Sequence, residues 1–133
     1  MTGRVLAVAH LVTAQQFADI AAQEMYREPG TDLDLSGAVT GGRAVMGAGR
    51  YETLVCAGRF GGVPILTFTA PWGQDDVPWV APSSAYLRFL ATGLLAAEAW
   101  TVAEIASYVT ACPGATGRWT QERVTDLLRK EAD

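Results

Sequence analysis

Threonine residues at three places in the sequence carry the signals that start an α-helix, and they constrain the fold more than any other feature. Thr13 is followed three residues later by Gln16, and Thr101 is followed at the same spacing by Glu104. In this arrangement, called a capping box, each of the two side chains accepts a hydrogen bond from the backbone N–H of the other residue. Thr120 precedes a third helical pattern and is expected to cap it. These signals predict that a helix begins directly after each threonine.

A fourth helix is predicted from the apolar run after Pro82, with Ser83 or Ser84 as its cap. Its apolar side chains lie nearly all round the helix, so it must be covered on several sides. The cover is expected to come from the sheet and the other helices, or from a second copy of the chain, which makes a homodimer one of the expected assemblies. The predicted helices span residues 14–27, 85–99, 102–111 and 121–131.

Between residues 33 and 70 the apolar pattern changes from the helical period towards the period of two that is typical of strands. Glycines interrupt this stretch, and Arg59–Gly62 has the composition of a hairpin turn. Pro64 has no backbone N–H, which places it at a sheet edge or at the start of a strand. The pattern predicts an antiparallel meander of three to four strands, in which Asp32 and Asp34 share one face. A short N-terminal strand is predicted at residues 3–10.

The order of these elements predicts an α+β fold in a single domain, residues 1–133. Half of the residues are apolar and 18% are charged, so the chain can bury a core. The net charge of −4 argues against a broad nucleic-acid contact, because phosphate binding needs clustered positive charge. We expect neither a signal peptide nor a membrane span. Nine of the ten basic residues are arginine, which we interpret as the coding bias of a bacterium or phage.

Reactive side chains are scarce. His10 is the only histidine, and Cys56 and Cys112 are the only cysteines. A metal site would have to combine these scattered residues without the usual short spacing, so neither a metal nor a cofactor is expected. Two cysteines are too few for a disulfide framework, which favours a cytoplasmic location. No residue can be assigned as catalytic, and whether the chain is an enzyme stays open.

The segment "PWGQDDVPWVAPSS", residues 71–84, combines two tryptophans with acidic and amide side chains on a backbone stiffened by prolines. Such a segment resembles a protein-binding hot spot, but the rings are also large enough to serve as a lid over the core. We expect a lid first and a contact surface second, and the sequence does not decide between them. The candidate contact residues are Trp72, Gln74, Asp75, Asp76 and Trp79.

The sequence favours a small binding protein, of adaptor or inhibitor type, that recognises another protein. A first alternative is an enzyme or ligand-binding protein with a pocket between the sheet and helix 85–99, lined by His10, Arg50, Tyr51 or Glu52. A second alternative is a DNA-binding regulator that uses arginines of the C-terminal helix-loop-helix. The loop there exceeds the turn of a helix-turn-helix, and neighbouring acidic residues cancel the charge, so nucleic acid is not the expected partner.

Overall fold

A computed structural model describes residues 4–30 and 32–130. It confirms the α+β class. Five helices and three strands follow one another in the order α1 (Ala14–Glu24), α2 (Ser36–Gly41), β1 (Arg43–Val45), β2 (Thr53–Phe60), β3 (Val63–Thr69), α3 (Ser84–Ala96), α4 (Val102–Ala111) and α5 (Gln121–Arg129). The chain forms two compact units: a sheet unit, Ala9–Val77, and a helical unit, Met1–Val8 with Pro78–Asp133.

The helices begin where the caps predict. The Thr13 hydroxyl accepts from the backbone N–H of Gln16 at 3.1 Å, and the Gln16 side chain accepts from the Thr13 N–H at 2.9 Å. Thr101 and Glu104 form the same reciprocal pair at the start of α4. Ser83 is the cap of α3, accepting from the Tyr86 N–H at 3.2 Å. Because these bonds join residues three positions apart, the sequence alone specifies them.

Helix ends agree less well with the predictions. α1 ends at Glu24 rather than at residue 27, and α3 ends at Ala96 rather than at residue 99. In both cases a residue with positive φ follows the C-cap: Tyr26 (φ 58°) after α1 and Glu98 (φ 56°) after α3. A left-handed residue terminates a helix, and neither is the glycine or asparagine that marks this position in a sequence. The end predicted for the last helix, residue 131, lies outside the described residues.

The sheet is antiparallel with the strand order β1-β2-β3. Gly61 (φ 55°) and Gly62 (φ 80°) form the two-residue turn between β2 and β3, which confirms the predicted hairpin. Both positions require positive φ in this turn type, and glycine adopts it without steric cost. Pro64 lies on β3, an edge strand, and is paired with Arg59 of β2. An edge position is what its missing N–H requires.

The core of the sheet unit joins α1 and α2 to one face of the sheet. Leu54 of β2 is fully buried and packs with Ala21 of α1, with Met25 directly after α1 and with Ala38 of α2. Around it lie partly buried apolar side chains, among them Phe17, whose ring centroid is 6.2 Å from that of Phe68.

The segment 33–41 differs from its strand-like pattern. Asp34 accepts hydrogen bonds from the Ser36 backbone N–H at 3.0 Å and from the Ser36 hydroxyl at 2.5 Å, and α2 begins there. These bonds lower the pKa of the Asp34 carboxyl. The alternation of leucine and aspartate therefore arises from a turn at a helix start, not from a strand with two carboxylates on one face. A short polar side chain that bonds the backbone locally competes with strand pairing in this way.

The predicted N-terminal strand is absent from residues 4–10, which form no strand or helix. Leu6 lies instead beside α4, where it lines a cleft with Trp100 and Tyr108. An apolar run becomes a strand only where it finds a partner edge, and a helix surface offers none.

The C-terminal helices form a core of their own. Leu87 and Ala91 of α3 pack with residues of α4 and α5, of which Ile105 and Val124 are fully buried. Trp119, in the loop before α5, belongs to the same cluster.

Candidate functional site

The tryptophan segment, residues 71–84, belongs to both units. Trp72, Gln74, Asp75 and Asp76 lie in the sheet unit, and Trp79 lies in the helical unit. The five predicted contact residues are thus divided between two parts of the molecule.

The first part of the segment is closed by its own hydrogen bonds. Asp76 accepts from the Gly73 N–H at 2.6 Å and donates its own N–H to the Gly73 carbonyl at 3.2 Å. Arg43 of β1 donates to the Pro71 carbonyl at 3.1 Å. Asp76 therefore holds the turn, while Gln74 and Asp75 are exposed at its surface.

The second part is anchored to the loop between α4 and α5. The Trp119 indole N–H donates to the Pro82 carbonyl at 3.0 Å. Gly114 (φ 86°) lies so close that a Cβ atom placed on it would be 2.9 Å from the Val80 carbonyl oxygen and 3.6 Å from the Trp79 ring. The backbone of residues 79–82 is therefore fixed in place.

Both indoles remain partly accessible. Trp72 is 40% exposed and Trp79 is 48% exposed, and neither is a member of the core clusters formed by the described residues. Each indole is about half buried, so both interpretations of the segment remain predictions.

The anchored segment continues into α3, whose outer side is apolar. Phe89 is 77% exposed, and Tyr86 and Leu90 are exposed as well, as is Val80 before the helix. We name residues 79–90 the apolar segment. The apolar pattern of this helix predicts cover on several sides. Such a pattern indicates which side chains are apolar, but it does not indicate which of them find a partner within the chain.

A cleft in the sheet unit brings together three of the four predicted pocket residues. Its volume is about 380 Å³, and it is lined by residues 24–26 from the end of α1 and by residues 49–52, which include Arg50, Tyr51 and Glu52. His10 is not part of its lining. All lining residues belong to the sheet unit, and Glu24 and Tyr26 are not among the pocket residues predicted from the sequence.

The Glu52 carboxylate in this cleft already has protein partners. Its Oε2 accepts from the Gly49 N–H at 2.9 Å, and its Oε1 is 3.7 Å from the Arg27 guanidinium. A Cβ atom on Gly47 would overlap the carboxylate, so the glycine turn wraps closely around it. Glu52 is therefore a structural group that holds the turn before β2.

The Tyr51 ring is held as well. It packs edge-on against Phe68, with centroids 6.1 Å apart.

A second cleft, of about 470 Å³, lies against α4 and is lined by Leu6, Trp100, Glu104 and Tyr108 among others. Its charged group is engaged, because Glu104 accepts from the backbone N–H and the hydroxyl of Thr101. Burial raises the pKa of Tyr108, which also has a hydrogen bond with the Leu6 backbone. These groups serve the helix start and the packing.

Arg123 is one of the arginines of the C-terminal helix-loop-helix, and its side chain has partners within that region. The Arg123 guanidinium lies over the Trp119 ring at 4.2 Å and donates to the Arg118 carbonyl at 3.0 Å. Arg123 thus supports the loop before α5.

Within residues 4–30 and 32–130, no group of three or more histidine, cysteine, aspartate or glutamate side chains is arranged to hold a metal ion. In the same part of the chain, every helix falls short of the length and apolarity needed to cross a membrane. No family model matches this sequence, and it has no significant match among curated proteins or solved structures.

Proposed function

We propose that this chain is a small, non-catalytic binding protein, of adaptor or inhibitor type, that recognises another protein through the apolar segment, residues 79–90. The observation that carries the proposal is that large apolar side chains are exposed on a backbone fixed by Gly114 and Trp119. A contiguous exposed apolar surface is typical of interaction sites. A fixed backbone also lowers the entropy lost on binding.

The residue types of the segment support the proposal. Trp79 and Tyr86 are residues that dominate interface hot spots, and Phe89 adds a large apolar face. Arg88 lies among them and provides the one charge within residues 79–90. Such a surface suits a partner with an apolar groove.

The assembly and the setting are part of the proposal. The partner is either a different protein or a second copy of the chain, and we place the protein in the cytoplasm of a bacterium or of a phage-infected cell. Light scattering over a range of concentrations distinguishes a homodimer from a monomer.

Affinity capture with matched variants tests the contact surface. Phe89→Ala is expected to lower the recovery of the partner at least about fivefold, equivalent to about 1 kcal/mol, because truncation of a hot-spot aromatic costs at least that much. Trp79→Ala should act in the same direction. Phe89→Ala should retain the thermal stability of the unaltered protein, because the Phe89 side chain is 77% exposed. Trp79→Ala should remain folded, with the smaller stability loss expected for a half-buried ring than for a fully buried one.

Phe60→Ala is the control, because Phe60 is an equally exposed aromatic residue (83%) at the end of the β2–β3 hairpin. Unchanged recovery with Phe89→Ala, or a loss confined to Phe60→Ala, would contradict the proposal. Unfolding of Trp79→Ala would mean that Trp79 acts as a lid.

A further inference from the structure

Tyr26 is the most exposed aromatic residue of the sheet unit and adopts a backbone conformation that tyrosine disfavours. Its side chain is 97% exposed and its φ is 58°. The Tyr26 N–H donates to the Gln23 carbonyl at 3.1 Å, and the Arg27 N–H donates to the Ala22 carbonyl at 2.7 Å. These two bonds form the Schellman motif, in which the left-handed position is normally glycine.

A tyrosine at this position therefore costs stability and contributes almost no packing. A non-glycine residue pays about 1 kcal/mol or more for the left-handed conformation. Strained residues of this kind are concentrated at functional sites. Tyr26 is one of the residues that line the cleft, together with Tyr51 and Arg50, which supplies a reason for its presence.

Two charged side chains of the cleft are left for a ligand. Glu52 is engaged by Gly49 and Arg27, as described above. The side chains of Arg50 and Glu24 make no hydrogen bond or ion pair within the described part of the chain, and both line the cleft. One cation and one anion thus line the cleft together with two tyrosines.

We propose that this cleft binds a small ligand with a planar apolar body that carries one carboxylate and one ammonium group, the chemistry of an aromatic amino acid. The tyrosine rings would pack on the planar body. Arg50 would bind the carboxylate through its fork of N–H donors, and Glu24 would accept from the ammonium group. A volume of about 380 Å³ is at the small end of ligand sites, in keeping with a ligand of this size. The inference does not depend on the proposed recognition of a protein.

Titration calorimetry with three probes tests the ligand class. L-tryptophan carries both charged groups, indole-3-propionate lacks the ammonium group, and tryptamine lacks the carboxylate. We expect L-tryptophan to bind and each of the other two to bind at least about tenfold more weakly, because each leaves one charged side chain without a partner. Absence of L-tryptophan binding would overturn the proposal. So would an affinity for indole-3-propionate or tryptamine that equals the affinity for L-tryptophan.

Variants locate the site. Tyr26→Gly should unfold at a higher temperature than the unaltered protein, because glycine relieves the strain, and yet bind L-tryptophan at least about fivefold more weakly. Arg50→Gln should show a similar loss of affinity. Phe60→Ala and Arg59→Gln, an exposed aromatic and an arginine outside the cleft, should bind as the unaltered protein does. Full affinity in Tyr26→Gly or Arg50→Gln, or an equal loss in the two controls, would contradict the assignment.

Discussion

Gly114 determines the position of the apolar segment at the scale of one residue. Its φ of 86° favours glycine, and its missing side chain lets the Val80 carbonyl approach. Gly117 also has a positive φ, 76°, but a Cβ atom there would meet nothing within 4 Å. The two glycines separate the cost of backbone conformation from the cost of the close approach.

We therefore predict that Gly114→Ala destabilises the protein more than Gly117→Ala does. Gly117→Ala should lower the free energy of unfolding by about 1 kcal/mol, the cost of a left-handed alanine. Gly114→Ala should lower it by at least about 2 kcal/mol, because the backbone of residues 79–82 must also move. Urea unfolding measures both values, and equal losses would contradict the close contact between Gly114 and Val80.

Local signals account for what the sequence predicts well at the scale of elements. The starts of four helices and the Gly61–Gly62 turn depend on residues within four positions of one another, so they can be read from the sequence. The helix ends at Tyr26 and Glu98 carry no glycine, and the N-terminal run lacked a partner that the sequence could specify. The exposure of Phe89 and the contribution of Tyr26 to the cleft depend on contacts between residues far apart in the sequence. Short-range patterns therefore do not reveal them.

The capping box of α4 gives a prediction on pH. Hydrogen bonds from the backbone N–H and the hydroxyl of Thr101 lower the pKa of Glu104 below its ordinary value of 4.5. A carboxyl with a lowered pKa in the folded state adds stability above the unfolded value, and this stability is lost as the pH falls through the folded value. Glu104→Gln should therefore lower the melting temperature at neutral pH and have less effect well below pH 4.5.

Glu122→Gln is the control for this prediction, because Glu122 also lies in the first turn of a helix but outside a capping box. Thermal unfolding at the two pH values provides the comparison. A Glu104→Gln effect that is the same at both, or that is matched by Glu122→Gln, would contradict the role assigned to the carboxylate.

The distribution of charge distinguishes the two units at the scale of the whole molecule. The helical unit contains six basic and six acidic side chains, whereas the sheet unit contains four basic and eight acidic ones. The net charge of −4 is therefore carried by the sheet unit. Each unit has its own core cluster. The single domain expected from the sequence remains a prediction.

We predict that the protein does not bind polyanions. The helical unit is formally neutral, so its acidic side chains oppose the approach of phosphates to its basic ones. On a heparin column the protein should elute without retention at about 0.15 M salt. Retention that is removed by replacing Arg118 and Arg129 with glutamine would instead support the DNA-binding alternative.

Hydrogen–deuterium exchange of the free and the partner-bound protein tests the central claim most directly, because it locates the bound surface without altering the chain. The account predicts slower exchange in peptides that cover residues 79–90 when the partner is bound, with little change in the β2–β3 hairpin. Protection confined to the hairpin, or no protection in residues 79–90 at saturating partner, would contradict it.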